Sequence, residues 1–326
     1  MKFTSIPQNG ASWRDRLVYK FDTGSVIPTD VKVDIFDIKN SKCIGSMVLY
    51  GITTGEVDIA PFVAQEASLE PITSDRTITI AESPSAIKVV VFANGTTSAQ
   101  RTFFRAPLYT STAQLLSYNE PTTREIKRGD AIHLTLFTKS RVNVTLTERE
   151  PDTTTPIVAT YSTSNTPLEV VVATANISPA ASTIDLAIEC DDSTVQNLTY
   201  RLTNKDSKSQ TLLWYNYRGG IESYTFAHSM PISYEAKISD GRATSDTLLR
   251  KAKGLKRVRL CTGYETTATI ARVVELLIAP AIYKVEGNTA IAVEMATNNL
   301  ECNSKGGFNT VAIDIVEAWK GGDYEA

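Results

Sequence analysis

The sequence is poor in the residues and motifs that most often carry enzyme chemistry. It has two histidines, and its four cysteines lie far apart without a C-x-x-C pair. This spacing excludes a zinc ribbon and a dense disulfide framework, so free, buried thiols are expected. It also lacks H-E-x-x-H, G-x-x-x-x-G-K-[ST], G-x-S-x-G, and a G-x-G-x-x-G turn after a strand. We therefore expect no enzyme activity, no cofactor and no metal.

An excess of positive charge and a long apolar run are also missing. Lys and Arg number 33 against 36 Asp and Glu, a formal net charge of −3, so no global positive field favours nucleic acid or an anionic membrane. No run approaches the roughly 18 apolar residues of a membrane span, and residues 1–16 lack the apolar stretch of a secretory signal. These absences predict a soluble protein made in a cytoplasm, with proteins or glycans as partners.

What the sequence does contain is a period-two pattern of short β-rich segments. They are separated by turn clusters and lie at 31–38, 88–92, 132–137, 142–146, 168–172 and 183–189. Short strands and turns at this spacing are typical of β-sandwiches, and no helix is expected before about residue 210. In 31–38 the alternation places Val31, Val33, Ile35 and Asp37 on one face.

The predicted fold class is mainly β: tandem Ig-like β-sandwiches followed by an α+β domain with one helix on an antiparallel sheet. The predicted boundaries are 1–106 for an N-terminal β-sandwich, 107–209 for a second Ig-like β-sandwich and 210–326 for the C-terminal domain. Each sandwich has a strand expected to end at a proline, at residues 58–61 and 176–179, because proline cannot donate to a strand ladder.

The C-terminal segment changes from strand to helix periodicity. An apolar stripe at Ile270, Val273, Val274, Leu277 and Ile278 predicts an amphipathic helix over 267–279. Thr266 or Thr267 supplies its N-cap, and Pro280 stops it. Strands 282–286 and 290–295, joined through a Gly-Asn turn, and a strand near 311–315 should complete the sheet.

Neither histidine is expected to be catalytic. His133 lies on the polar face of IHLTLF, which predicts a solvent-facing strand residue rather than a general base. His228 is expected at a loop. The acidic cluster Glu189, Asp191 and Asp192 is expected to be a solvated turn. A glycan-active enzyme, the least favoured alternative, would need two carboxylates about 5–10 Å apart across a cleft.

Five aromatic residues surround a Gly-Gly pair in WYNYRGGIESYTF, residues 214–226. The pattern predicts a β-hairpin with glycine at positive φ in its turn. One face should be core, and the other is either a sugar or partner platform or the contact by which this unit docks within the protein; we favour docking. The candidate interface residues are Trp214, Tyr215, Tyr217, Arg218, Tyr224 and Phe226.

A basic run occupies residues 248–260. It is expected to be a solvated strand edge, since lysine often guards such edges, or a contact with an acidic neighbouring subunit or with nucleic acid passing through a ring. The residues of this candidate basic patch are Arg250, Lys251, Lys253, Lys256, Arg257 and Arg259.

The aromatic hairpin also carries a family resemblance. The pattern of Trp214, Asn216, Gly219, Gly220, Glu222, Tyr224 and Phe226 is followed by Thr262-Gly263-Tyr264, a helix and Ile282-Tyr283. Together these resemble tail and other virion structural proteins of phages and prophages of bacteroidete bacteria, mainly over residues 210–326. Asp58-Ile59-Ala60-Pro61 looks like a weaker feature of the same proteins.

The resemblance implies a non-enzymatic ring or adaptor subunit of a phage tail, neck or baseplate, located in the virion and assembled in the host cytoplasm. Its partners would be other copies of itself and neighbouring virion proteins, with no membrane, and nucleic acid only if a ring lumen carries the genome. The alternative is a receptor- or glycan-binding tail protein that uses the aromatic hairpin, with Trp214 and Tyr217 exposed.

Overall fold

The computed structural model describes residues 1–108, 113–118, 121–149, 156–162, 166–191, 193–204, 208–242, 248–298, 300, 303–305 and 308–319. Across these residues the chain is mainly β, with strands in six sheets and two short α-helices. The strands form two β-sandwich units followed by an α+β unit. The predicted fold class is therefore confirmed.

The N-terminal unit is a sandwich of two antiparallel sheets. One has the order β1-β2-β5, and the other has the order β4-β3-β7-β8 with β9 also on β7. Val31, Val33, Ile35 and Asp37 are all buried, as the alternation predicts. The elements of this part of the chain are β1 (Lys2–Ser5), β2 (Val18–Asp22), β3 (Thr29–Asp37), β4 (Lys42–Ile52), β5 (Thr54–Asp58), α1 (Ala60–Glu66), β6 (Ile78–Glu82), β7 (Ile87–Ala93), β8 (Thr96–Thr97) and β9 (Arg101–Phe103).

The second unit packs two sheets around the largest apolar cluster. Their orders are β10-β12-β15-β6 and β11-β17-β16-β13-β14, with β11 and β17 parallel. The strands that begin in this unit are β10 (Gln114–Leu115), β11 (Thr123–Lys127), β12 (Ala131–Phe137), β13 (Val142–Arg149), β14 (Pro156–Tyr161), β15 (Pro167–Ala173), β16 (Thr183–Cys190) and β17 (Ser193–Thr203).

Strand β6 belongs to the second sandwich, although it precedes the predicted domain boundary at residue 106. It lies within the first 106 residues, yet it pairs with β15 of the second unit, with Ile80 opposite Val170. Ile78 and Ile80 pack on the core of the second sandwich. The chain then returns to the first sandwich through β7. The first 106 residues therefore contribute to both sandwiches.

Helix α1 contradicts the expectation of no helix before residue 210. Strand β5 ends at Asp58, whose carboxylate accepts hydrogen bonds from the backbone N–H groups of Leu17 (2.9 Å) and Ala60 (3.1 Å). Pro61 then occupies the first turn of α1, where the missing N–H costs nothing. The strand end predicted at 58–61 is therefore confirmed, whereas the one predicted at 176–179 is wrong, because β15 ends at Ala173 and a 3-10 helix, Thr174–Asn176, follows.

The C-terminal unit is a seven-stranded antiparallel sheet of order β19-β18-β22-β23-β26-β21-β20 with one helix packed on it. Its elements are β18 (Gln210–Tyr215), β19 (Ile221–Phe226), β20 (His228–Arg242), β21 (Leu248–Cys261), α2 (Thr267–Val274), β22 (Ile282–Glu286), β23 (Thr289–Met295), β24 (Asn303–Lys305), β25 (Phe308–Thr310) and β26 (Ala312–Trp319). The predicted turn at 287–288 and the buried positions Val311, Ile313 and Ile315 are confirmed.

The apolar face of α2 differs from the prediction in its last turn. Thr266 is the N-cap, and its hydroxyl accepts from the Thr269 N–H at 3.2 Å. The chain then tightens into a 3-10 helix, Glu275–Ile278, whose repeat is three residues. Leu276 is therefore buried, whereas Ile278 is 78% exposed.

The C-terminal unit covers the outer face of the β10-β12-β15-β6 sheet. Every residue of β12 and of β15 is buried, so both faces of these strands are covered. On the outer side, the backbone N–H of Ile221 donates to Thr135 Oγ1 at 2.9 Å. The hairpin β18–β19 is thus packed between its own unit and the second sandwich.

Candidate functional site

The aromatic segment forms the predicted hairpin. Strands β18 and β19 pair antiparallel, with Trp214 opposite Glu222. Asn216 closes the turn, because its backbone N–H donates to the Gly220 carbonyl (2.9 Å) and its side-chain oxygen accepts from the Gly220 N–H (3.1 Å). Gly219 has φ +80°, a conformation that favours glycine.

One face of the hairpin belongs to the core of the C-terminal unit. Leu212, Trp214 and Phe226 are each 0% exposed and pack in the cluster that includes α2. Tyr224 contacts Phe226 edge-on, with ring centroids 4.9 Å apart, and its hydroxyl donates to Glu265 at 2.8 Å. Trp214 is therefore a core residue of this chain, and the expectation that it is exposed as part of a glycan platform is wrong.

The other face contacts the two preceding units through a buried carboxylate. The hydroxyls of Tyr215 and Ser83 donate to Glu169 Oε1 at 3.3 and 2.9 Å, and the Ile72 N–H donates to Oε2 at 3.2 Å. These donors come from three separate parts of the chain. Burial raises the pKa of Glu169 to about 7. This face of the hairpin is an internal contact between units.

The hairpin turn fits closely against the neighbouring units. A Cβ placed on Gly219 would lie 2.8 Å from Phe104 Cε1, and one on Gly220 would lie 2.6 Å from the Leu116 carbonyl carbon. The Asn216 side-chain amide also donates to the Leu116 carbonyl at 2.9 Å. Both positions require glycine because neighbouring atoms leave no room for a Cβ, and Gly219 also requires it because of its positive φ.

A buried charge network lies beside the hairpin. Glu222 is 0% exposed and accepts from Arg272 Nη2 (2.7 Å), Arg124 Nη1 (3.4 Å) and the backbone N–H groups of Tyr118 (2.7 Å) and Ser223 (3.1 Å). Arg124 belongs to the second unit and Arg272 to α2. The carboxylate therefore joins two units through charge-assisted hydrogen bonds.

The exposed part of the hairpin is small. Tyr217 is 58% exposed, and its ring lies 6.3 Å from that of Tyr118. The Arg218 guanidinium lies 5.2 Å from the Tyr118 ring centroid and 5.6 Å from that of Tyr217. Of the predicted interface residues, the structure brings Tyr217 and Arg218 together at the surface. No sequence signal pointed to Tyr118, which lies about a hundred residues away.

The predicted basic patch is compensated within the chain where its side chains are described. Arg259 forms a two-point ion pair with Asp314 (2.8 and 3.1 Å), and Arg257 lies 3.9 Å from the same carboxylate. Lys256 Nζ lies 3.0 Å from Glu317. Strand β26 thus supplies acidic partners inside this chain. The side chains of Arg250, Lys251 and Lys253 lie outside the described residues.

Strands β20 and β21 extend beyond the rest of the sheet. They pair from His228–Cys261 to Arg242–Leu248, whereas β26 accompanies β21 only from Gly254 to Cys261. The last six pairs, starting at Lys237–Lys253, have no third strand alongside among the described residues. At about 3.3 Å per residue, these six pairs span about 20 Å of the described hairpin.

The start of β20 carries a group of exposed apolar side chains that the sequence analysis missed. Met230, Ile232 and Tyr234 are 49%, 40% and 54% exposed. In the described part of the chain no strand pairs with the outer side of β20. The register is irregular between Pro231 and Ser233, and proline cannot donate to a ladder, so this stretch of the edge favours side-chain contacts over strand addition.

The histidines and carboxylates do not assemble a reaction centre in the described residues. His133 is 2% exposed, and burial lowers its pKa to about 4, so the prediction that it faces solvent is wrong. His228 is exposed, as are Glu189 and Asp191, while Asp192 lies outside the described residues. No cluster of three or more His, Cys, Asp or Glu suited to a metal occurs in the described ranges.

The thiols only partly match the expectation of burial. Cys190 is buried, Cys261 is half-buried and Cys43 is exposed, and these three thiols are not joined in disulfides. Cys302 lies outside the described residues. Among the residues that the structure covers, no helix has the length and apolarity needed to cross a membrane.

Comparison with known proteins adds little to this geometry. No family model and no curated protein matches the chain. A solved structure that matches, the crystal structure of CBD12 from CALX1.2, covers 62% of this chain and 99% of its own at 6% identity and a TM-score of 0.19. A TM-score this low supports no inference about function.

Proposed function

We propose that this chain is a structural subunit of a bacteriophage virion, in the tail, neck or baseplate, and that it works as repeated copies joined by protein contacts. The observation that carries the proposal is the open edge strand β20, with three exposed apolar side chains and a ribbon that extends beyond the sheet. The resemblance of residues 210–326 to phage virion proteins supports the phage setting.

The ribbon favours assembly for a physical reason. A two-stranded hairpin is at best marginally stable in water, because most of its apolar surface and half of its backbone groups stay solvated. Contact with another subunit would cover it. Obligate subunit contacts bury about 2,000 Å² or more, and a projecting arm supplies such area efficiently.

A second candidate function is receptor or glycan binding in the same virion. The exposed Tyr217 and the half-buried Tyr118 beside it, with Arg218 against both rings, favour it, because aromatic faces at a surface are suited to contacts with sugars. Here Tyr217→Ala should abolish binding to host cells or glycan arrays and leave the oligomeric mass unchanged.

The test of the structural role is the mass of the purified chain and its place in the particle. Light scattering over a hundredfold concentration range should give a mass several times the 35.6 kDa of one chain. Antibody labelling of phage particles should locate it at the tail, neck or baseplate. A chain that stays monomeric at high concentration and is absent from particles would overturn the proposal.

A matched pair of variants separates edge contact from general surface effects. Ile232→Lys places a charge on β20, and Val158→Lys does the same at a 58%-exposed valine on β14, an edge strand of the second unit. We expect the first to lower the oligomeric mass and the second to leave it unchanged. Equal masses for the two variants would contradict a role for β20.

A further inference from the structure

The chain contains two Asn-Gly pairs, and the fold places them in different surroundings. Asn9-Gly10 lies in a turn after β1, and Asn94-Gly95 forms the two-residue turn between β7 and β8. An asparagine that precedes glycine is prone to deamidation, because glycine has no side chain to hinder attack of its backbone nitrogen on the asparagine amide. The same reaction can therefore be compared in two settings of one chain.

Both asparagine side chains have their amide oxygen on a backbone donor. Asn94 Oδ1 accepts from the Lys32 N–H at 2.8 Å, and Asn9 Oδ1 accepts from the Thr102 N–H at 2.7 Å. Negative charge develops on this oxygen when a nucleophile attacks the amide carbon, and a fixed N–H donor stabilises that charge. The group that is attacked is therefore held in the same way at the two positions.

The attacking nitrogen is restrained at only one of the two positions. The Gly10 N–H donates to the Thr102 carbonyl at 2.8 Å, and the Gly10 carbonyl accepts from the Leu108 N–H at 2.8 Å. Gly10 is also buried, and a Cβ added to it would lie 2.5 Å from the Leu108 carbonyl oxygen. Gly95 is exposed with open space around it, and its N–H donates no hydrogen bond to any described residue. The Gly95 nitrogen can therefore move toward the Asn94 side chain, whereas the Gly10 nitrogen must first break a hydrogen bond.

We propose that Asn94 is a site of spontaneous deamidation in the folded chain and that Asn9 is protected. The Gly95 nitrogen attacks Asn94 Cγ and gives its proton to hydroxide. Nδ2 takes a proton from water and leaves as ammonia, and a five-membered succinimide ring closes. Water then opens the ring at either carbonyl, which gives aspartate or isoaspartate. The reacting atoms belong to adjacent residues, so no encounter is needed, and the reaction is independent of the proposed function.

The amide of Asn94 also holds the beginning of β3. Its Nδ2 donates to the Asp30 carbonyl at 3.0 Å, and its backbone N–H donates to the Lys32 carbonyl at 2.9 Å. Aspartate would place a second acceptor against the Asp30 carbonyl, and isoaspartate would also lengthen the backbone of the two-residue turn. Either product removes a hydrogen bond to β3, so deamidation should loosen this part of the N-terminal unit.

The test follows both asparagines in the unaltered full chain. The chain is kept in mildly alkaline buffer made with water labelled with heavy oxygen, digested in ordinary water and mapped by mass spectrometry. Only deamidation that precedes digestion then carries the label. In the folded chain Asn94 should react at least about tenfold faster than Asn9, because Asn9 requires a local opening. In urea that unfolds the chain, the two rates should become similar.

Two results would overturn the proposal. One is a folded chain in which Asn94 reacts no faster than Asn9. The other is an Asn94 that reacts in urea but not in the folded chain, because its hydrogen bonds to β3 would then protect it.

A matched pair of variants tests the consequence for β3. Asn94→Asp introduces one of the two products, and Asn197→Asp makes the same change at an exposed asparagine on β17. We expect the first to lower the thermal midpoint and the second to leave it unchanged. Equal midpoints would contradict the role of the Asn94 amide in holding β3.

Discussion

Replacing Glu222 by glutamine tests whether a buried charge network holds the second and C-terminal units together. The change keeps the shape of the side chain and removes its negative charge. Arg124 and Arg272, whose side chains are 5% and 7% exposed, would then lose the buried carboxylate that they share. The new amide NH₂ group would also meet a backbone donor, the Tyr118 N–H, that now lies 2.7 Å from Glu222 Oε2.

The expected cost follows from the burial of the network. Removing one partner of a buried ion pair typically destabilises a protein by about 3–5 kcal/mol, because the charge left behind remains desolvated. Two arginines share this carboxylate, so we expect the upper part of that range. For units of this size, about 1 kcal/mol corresponds to roughly 2–4 °C, so the thermal midpoint should fall by about 10 °C or more.

The control is Glu66→Gln, which removes a carboxylate that accepts two hydrogen bonds from Lys42, at 2.9 and 2.8 Å. That pair is at the surface, with the lysine side chain 58% exposed, and should contribute about 0–1 kcal/mol. Urea unfolding and calorimetry of both variants under the same conditions provide the comparison. A Glu222 variant no less stable than the Glu66 variant would refute the view that this network joins the units.

Three further predictions concern the hairpin and its buried contacts. Gly220→Ala should lower stability by about 1–3 kcal/mol, because its Cβ would lie 2.6 Å from the Leu116 backbone. The control Gly263→Ala should be nearly neutral, because no atom lies within 4 Å of the added Cβ. Equal midpoints of the two variants in thermal melts would contradict the close fit of the hairpin turn. Burial raises the pKa of Glu169 from 4.5 to about 7, so the folded state favours the protonated carboxyl group. The contribution of Glu169 to the free energy of unfolding is therefore fully present below pH 4.5 and is lost as the pH rises through 7. The advantage of Glu169→Gln over the unaltered chain should therefore increase from pH 4.5 to 7 in urea titrations, and a difference that does not change with pH would refute this. Trp214→Ala should cost about 3–5 kcal/mol and Tyr217→Ala less than 1, as measured by urea midpoints, and the reverse order would show that the two faces are wrongly assigned.

Alternation and turn residues were sufficient to predict the aromatic hairpin and six of the sandwich strands, namely β3, β7, β12, β13, β15 and β16. The same patterns failed for the β10-β12-β15-β6 sheet, because the C-terminal unit covers its outer face. His133 was assigned to a solvent-facing side because its strand alternates, yet the C-terminal unit covers that side. A signal was present in the adjacent strand, since the uninterrupted run Val170–Val172 is typical of a strand buried on both faces.

The candidate site was predicted in part, because it depends on contacts between distant segments. The Gly219 turn follows from local chemistry, but the partners of the hairpin, such as Glu169 and Tyr118, are separated from it by about 50 to 100 residues. Short-range patterns contain no information on such pairings. Helix α1 was missed for a different reason, since a proline that ends one strand also suits the first turn of a helix.

The path of strand β6 bears on how this chain can be divided. A fragment cut at residue 106 would take with it the strand that belongs beside β15, leaving the second sandwich with an unpaired edge and the fragment with a detached segment. Because β6 precedes β7 of the first sandwich but belongs to the second, the two sandwiches cannot be separated by one cut or exchanged as independent domains. Any shortened version for crystallisation or display should keep residues 1–204 together.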